Sequence, residues 1–189
     1  MASRRGSLFV IAGPSGVGKG SVVQELLARH PGTLALSVSA TTRPPRAAEV
    51  RDRDYAFVST EQFEQMVDEG KMLEWASVFD HFYGTPAEFV EQERAAGRDV
   101  ILEIDVQGAR QVRERVPDAV LILLKPPTMD ELARRLRGRG TESEEKIARR
   151  LDEATRELST ASWFDHEIVN DDLERTVSEV AAIIDAARS

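Results

Sequence analysis

The stretch from Ser7 to Ser21, SLFVIAGPSGVGKGS, constrains this chain more than any other. An apolar run, Leu8 to Ala12, stops at Gly13-Pro14-Ser15-Gly16-Val17-Gly18-Lys19, and an amphipathic run begins. That order predicts a buried strand, a glycine-rich loop and a helix, with a lysine at the hinge. The spacing G-x-x-x-x-G-K is that of a phosphate-binding loop, in which glycines let backbone N–H groups curl round an anion. The following helix aims its positive dipole end at the same place. One position departs from the pattern. The slot after the lysine should carry a hydroxyl for magnesium, and it holds Gly20, with Ser21 one step later.

A chain of 189 residues with 41% hydrophobic content suits one domain with an inserted lobe, and it is long enough to bury a core without staples. It has no cysteine, which excludes disulfides and thiolate metal sites. His30, His81 and His166 share no ligand spacing, so no zinc site is expected. The opening residues lack the pattern of a signal peptide, and no apolar run approaches the ~20 residues of a membrane span. A cytoplasmic protein is expected. The net charge of −8 disfavours a nucleic-acid surface, because polyanion binding rests on neutralising phosphates. Arginines nevertheless cluster at 43, 46, 51 and 53, at 134, 135, 137 and 139, and at 149 and 150. Small anionic ligands held at chosen points fit that pattern. Arg134, Arg137 and Arg149 are expected on solvated helix faces.

Along the chain, Val22, Val23, Leu26 and Leu27 give the first helix (about 19–29) one apolar face. Leu34 to Ser39 is expected as a second strand. Thr41-Thr42-Arg43-Pro44-Pro45-Arg46 cannot be regular structure, since its prolines lack donors and push preceding residues to extended shapes. Short strands follow at 54–58 and 72–79. Between them Ser59-Thr60-Glu61-Gln62 is a capping box for a helix closed by Gly70. Thr85-Pro86-Ala87-Glu88 has the form of a capping box with proline at the first helical position. Val100 to Asp105 is a nearly continuous apolar run ending in acid, as central parallel strands are. A helix (about 107–116), an apolar strand (119–124), helices capped near Thr128 and at Thr141–Glu144, and a strand at 167–169 complete the pattern. The terminal helix is expected to turn Leu173, Val177, Val180 and Ile184 inward.

Alternating strands and helices at both ends argue for a parallel α/β sheet. The mixed region of about 38–97 is expected as an inserted lobe and the arginine-rich helical region of about 128–160 as a lid. The core would then comprise about 1–37, 98–127 and 161–189. Strand period two puts Glu103 and Asp105 on one face, and Asp105 at the strand end can hold a metal through water. Phosphoryl transfer needs positioning and charge neutralisation more than covalent chemistry. Lys19 suits that, as do Arg139, between Gly138 and Gly140, and Arg135 on the same helical face.

These residues carry a resemblance. Gly13 to Lys19, Ser37 to Arg46, Glu74-Trp75-Ala76, Tyr83-Gly84-Thr85, Glu103 to Gly108, Gly138 to Glu142 and Ile168 to Asp172 resemble, in order and spacing, the guanylate kinase family. The resemblance implies a P-loop kinase fold with a central parallel sheet, a mixed-sheet GMP-binding lobe and a helical lid. It implies transfer of the γ-phosphate of ATP to GMP, and to dGMP, with Mg2+. Gly13, Pro14, Ser15, Gly16, Val17, Gly18, Lys19, Gly20 and Ser21 would cradle ATP. Ser39, Arg43, Arg46, Tyr55, Glu74, Tyr83, Gly84, Thr85, Glu103 and Asp105 would bind GMP, with Arg43, Arg46, Tyr55 and Tyr83 on its phosphate. Lys19, Arg43, Arg135, Arg139 and Arg150 would serve transfer, and Asp105, with Ser21, the metal.

Guanine presents N1–H and N2–H₂ side by side, which one carboxylate, Glu74, can accept, while its O6 suits the hydroxyls of Thr85 and Ser39. Adenine offers a bare N1 acceptor instead, and such mismatches can be rejected by about 10⁴–10⁵. Ala48 and Asp52 stand where the family commonly has glycine. Gly-Lys-Gly-Ser also resembles adenylate kinases, in which magnesium leans on water and the nucleotide phosphates. A kinase for another base and a non-catalytic interaction module remain open on the sequence alone.

Overall fold

Alternating apolar runs at both ends of the chain produce two faces of one sheet. The computed structural model describes residues 4–46, 49–51, 55–78, 80–138 and 143–188. Strands β1 (Leu8–Ala12), β2 (Leu34–Leu36), β7 (Asp99–Ile104), β8 (Val120–Lys125) and β9 (His166–Val169) form a sheet in the order β2-β7-β1-β8-β9. Every pairing in it is parallel. Leu8, Val10, Leu102, Leu121 and Leu123 pack on one face, against Val106, Ala109 and Val112 of α4 (Val106–Arg115). Phe9, Ile11, Ile101, Ile122 and Leu124 fill the other, against α1 (Lys19–Arg29) and α7 (Leu173–Arg188). The period of two along each central strand thus builds a three-layer core.

A second sheet, ordered β4-β3-β6-β5, joins β3 (Ala40–Thr41), β4 (Ala56–Phe57), β5 (Met72–Val78) and β6 (His81–Pro86). The β3–β4 pair is parallel and the other two pairs are antiparallel. Helix α2 (Thr60–Asp68), started by the expected Ser59–Gln62 capping box, covers this sheet through Phe63, whose ring stacks on Phe82 at 5.4 Å. The edge strand β5 is tied to α4 by Gln111, whose side-chain amide accepts from Trp75 N at 3.1 Å and donates to Trp75 O at 2.7 Å. An amide side chain so replaces a missing neighbour strand. Helices α5 (Met129–Gly138) and α6 (Glu144–Ser159) pack on each other through Leu132, Leu136, Ile147 and Ala154. Among the described residues no helix is long and apolar enough to cross a membrane.

Several local expectations are corrected. The second strand ends at Leu36 rather than Ser39: Ser37 N makes a last bond to Ile101 O, and by Ser39 the backbone has turned to the second sheet, its carbonyl accepting from Ala56 N. Thr85 caps nothing: α3 (Ala87–Ala95) begins after Pro86, which is its N-cap, and the Thr85 hydroxyl bonds Glu74 instead. Asp105 lies beyond β7 as the N-cap of α4, its Oδ1 accepting from Gly108 N at 2.6 Å. Leu173 is 40% exposed, since it opens α7 before the helix reaches the core.

Candidate active site

The site begins where β1 ends. Gly18, the N-cap of α1, has φ of 102°, and a Cβ there would stand 2.6 Å from Asn170 Nδ2. A Cβ on Gly13 would stand 2.4 Å from the carbonyl oxygen of Leu124. Both positions accept only glycine. No side chain caps α1, so the loop leaves its helix N–H groups to an anion. Lys19 Nζ lies across its own loop, donating to Gly13 O at 2.6 Å and Pro14 O at 3.3 Å. Val17 is buried in the core beneath. Ser21 is solvent-exposed on α1.

Two arginines of α5 and α6 reach this loop. Arg150 donates to Ser15 Oγ at 2.5 Å. Arg135 donates to Val17 O at 3.1 Å and Asn170 O at 2.9 Å, and its Nε pairs with Glu131. Asn170 in turn donates to Val17 O at 2.8 Å. Arg135 and Asn170 therefore brace the loop from behind. Asn170 was legible only as part of a motif, since nothing in its own neighbourhood announced a contact with a loop far back in the chain. Arg139 lies outside the described residues, as do Ala48 and Asp52. Arg134 and Arg137 lie on exposed helix faces as expected, where they pair with Glu131 and Glu144. Arg149 is likewise exposed on α6, where it borders the cleft described next.

A cleft of about 1210 Å³ opens between the end of β5, the start of α4 and the inner side of α6. Asp105, Arg149, Arg150 and Glu157 are among its walls. Burial pushes the Glu157 carboxyl up to about 7, helped by Asp105 and Glu153 and opposed by Lys19. Glu103, at the surface, is raised by loss of water and opposed by Lys19. A Cβ on Gly20 would stand 3.6 and 3.7 Å from the two Glu103 carboxylate oxygens. Glu103 therefore faces the place from which a hydroxyl at position 20 would project.

On the second sheet, antiparallel register sets Glu74 opposite Thr85, after an irregularity between Met72 and Glu74. Glu74 is 5% exposed and Thr85 1%, and the Thr85 hydroxyl donates to Glu74 Oε1 at 2.7 Å. Burial pushes the Glu74 carboxyl up to about 7; the Thr85 bond opposes the rise and Asp105 adds to it. A Cβ on Gly108 would stand 2.7 Å from Glu74 Oε2, so the helix approaches this carboxylate only because residue 108 has no side chain. Gly84 is likewise needed for packing, with Trp75 Cβ 2.9 Å from a Cβ placed there.

Near this pair an arginine is packed among aromatic rings. Arg43 lies over the rings of Tyr55 and Phe57, at 5.3 and 5.8 Å. Tyr55 meets Tyr83 edge-on at 6.0 Å. Ser39 immediately precedes β3, its carbonyl accepting from Ala56 N at 2.9 Å, while the Arg46 side chain is exposed. The fold thus gathers Arg43, Tyr55 and Tyr83 into one group, Glu74, Thr85 and Asp105 into a second, and Lys19, Ser15 and Arg150 into a third. Glu49, which grips Arg43, is a member of the first group that the sequence reading missed.

The guanylate kinase family model matches residues 5–187. A guanylate kinase of Thermosynechococcus vestitus is 56% identical over 172 residues, 91% of this chain and 90% of that protein. One from Caldanaerobacter subterraneus is 48% identical over 185 residues, covering 98% and 89%. The crystal structure of guanylate kinase from Anaplasma phagocytophilum superposes with a TM-score of 0.79 at 34% identity, over 97% of this chain and 87% of that one.

Proposed function

Taking as premise that the chain belongs to the guanylate kinase family and transfers phosphate from ATP to GMP, we propose how its residues divide that work. The observation that carries the reading is the buried Glu74–Thr85 pair, whose carboxylate also feels Asp105. Ionised Glu74 accepts N1–H and N2–H₂ of guanine. Thr85 and Ser39 donate to O6, and the Thr85 hydroxyl redirects its hydrogen bond from Glu74 to the base as GMP enters, keeping its proton. Arg43, Arg46, Tyr55 and Tyr83 hold the acceptor phosphate, turning one of its oxygens toward the donor. The loop amides from Gly13 to Ser21 and the Lys19 ammonium hold the ATP phosphates. Arg135, Arg139 and Arg150 add positive charge where it builds up on the transferring group.

Transfer requires closure, because a wet cleft screens these charges and admits water as a competing acceptor. We assign the movement to the boundaries expected from the sequence, with the core at about 1–37, 98–127 and 161–189, the acceptor lobe at 38–97 and the lid at 128–160. Arg150 on Ser15 is a contact through which α6 would follow the loop.

Among the described residues no group of three His, Cys, Asp or Glu could cage a metal ion. The oxygen donors of Glu103 and Asp105, beside the loop, instead fit a hydrated Mg2+ that arrives with ATP. When bound, Mg2+ neutralises and orients the phosphate oxygens. Glu103, facing Gly20, and Asp105 would hold its water shell, with Ser21 a further candidate. No residue assigned to the base or phosphate requires a 2′-hydroxyl, so dGMP is accepted too, and cytoplasmic nucleotide pools supply both substrates.

A coupled assay with GMP, dGMP, AMP, UMP and CMP, with and without Mg2+, tests this. GMP and dGMP should be turned over only with Mg2+, and AMP should trail by several orders of magnitude. AMP outperforming GMP would end the role given to Glu74.

A further inference from the structure

The pocket assigned to the acceptor phosphate already holds an anion of the protein's own. Arg43 donates through its two terminal nitrogens to the Glu49 carboxylate, at 2.8 and 2.9 Å. The backbone N–H of Arg46 donates to the same carboxylate at 2.7 Å. The Arg43 and Glu49 side chains are 12% and 17% exposed. Arg43, then the Arg46 amide, hold the Glu49 carboxyl down to about 2, so it stays ionised across the neutral range. Arg43 also gives a bond to Pro44 O at 2.8 Å, whereas its Nε is buried with no partner among the described residues.

We propose that Glu49 is a resident stand-in for the GMP phosphate, holding Arg43 ready in the empty site and giving way when the phosphate arrives. This rests on the reading of Arg43 as a phosphate ligand. Geometry favours exchange. A carboxylate has two oxygens and here occupies the end-on fork of the two terminal nitrogens; a phosphate has three and can take the side-on fork of Nε and a terminal nitrogen, which also gives the buried Nε an acceptor. Charge favours it too. Glu49 carries one negative charge and a phosphate monoester nearly two at pH 7, so the phosphate is the stronger claimant on Arg43. Both together would set about three negative charges against Arg43 and Arg46, which makes coexistence on one guanidinium unfavourable. Position 49 therefore sets the affinity for the acceptor and its demand for a doubly charged phosphate. A nucleoside lacking that phosphate leaves the pair intact.

Titration calorimetry on the full chain, with GMP, guanosine, inorganic phosphate and ATP, tests the exchange in Glu49→Gln. GMP and inorganic phosphate should bind roughly twofold to fivefold more tightly, the range expected when a partly exposed ion pair no longer competes. Guanosine and ATP should bind as before. Weaker or unchanged GMP binding overturns the proposal, because a merely supporting Glu49 would cost affinity when neutralised. A second readout needs no variant of Glu49. The Arg43 Nε–H should gain protection from solvent exchange on adding GMP or inorganic phosphate but not guanosine, and no gain counts against exchange. Arg43→Met separates the two readings. Unimpaired GMP binding there would sink the phosphate site itself, whereas lost binding beside a weakened Glu49→Gln would sink the exchange alone.

Discussion

The loop assigned to ATP and the lobe assigned to GMP are built on opposite principles. The loop hangs from β1, a wholly buried strand between two parallel neighbours, and its shape is fixed by backbone conformation at glycines. The lobe rests on short strands over a cluster whose fully buried members are Ala40, Phe63 and Met72. Its site is fixed by side chains bonding each other, Thr85 to Glu74 and Arg43 to Glu49. The first construction recognises any chain of phosphates, since every loop amide is alike. The second recognises one base and one phosphate, since each group has a single matching partner. Substitutions in the loop should therefore damage transfer whatever the acceptor, and substitutions in the lobe should change which acceptor is used.

The largest effect should come from removing the one side-chain charge of the loop. Lys19→Met should lower kcat by roughly 10³, the order seen when a charge-stabilising group is lost from a transition state, with GMP binding nearly unchanged in calorimetry. Equal losses of kcat and GMP affinity would mean that Lys19 supports both halves of the molecule and the contrast fails. Next comes the backbone itself. Gly18→Ala must hold a positive φ that alanine disfavours and move Asn170, a strain worth about 1–3 kcal/mol. ATP affinity should fall roughly tenfold to a hundredfold, again without a change in guanine selectivity, as a GMP-to-dGMP and GMP-to-AMP comparison would reveal.

The same contrast explains what the sequence could disclose. The loop was legible because its strand, glycines and lysine are contiguous and each has a local physical reason. The parallel sheet followed from apolar runs ending in acid, notably Val100 to Asp105. The lobe was harder, because its partners are brought together by register rather than by proximity in the chain. Thr85 had the spacing of a helix cap, and only the pairing of β5 with β6 shows its hydroxyl turned to Glu74. Asp105 looked like a strand end free for a metal, yet one of its oxygens is spent on the N-terminus of α4. Glu49 gave no signal at all, being one acid in a proline-rich loop. Asn170 and Arg135 meet Val17 from more than a hundred residues along the chain, a contact no local pattern encodes.

The smallest effect is also the sharpest test of the lobe. Glu74 has a folded-state pKa of about 7, against an ordinary value of 4.5, because it is buried without a cation. A carboxyl raised in this way favours the fold fully below about pH 4.5, and that contribution is lost as pH rises through about 7. Guanine reverses the preference, since two N–H donors stabilise the ionised form and depress the pKa in the complex. GMP binding must then expel a proton from the fraction of molecules still protonated, roughly half a proton per GMP at pH 7 and almost none at pH 9. The GMP phosphate titrates near pH 6 as well, so the reference is Glu74→Gln, which keeps the phosphate contribution and loses that of the carboxyl. Calorimetry in buffers of different ionisation heat should show the half proton in the wild type and its disappearance in the variant. Identical proton counts would mean that Glu74 is already ionised in the empty lobe, held by a partner other than Thr85. Selectivity for guanine would then rest on a carboxylate that is charged beforehand rather than one that the base itself deprotonates.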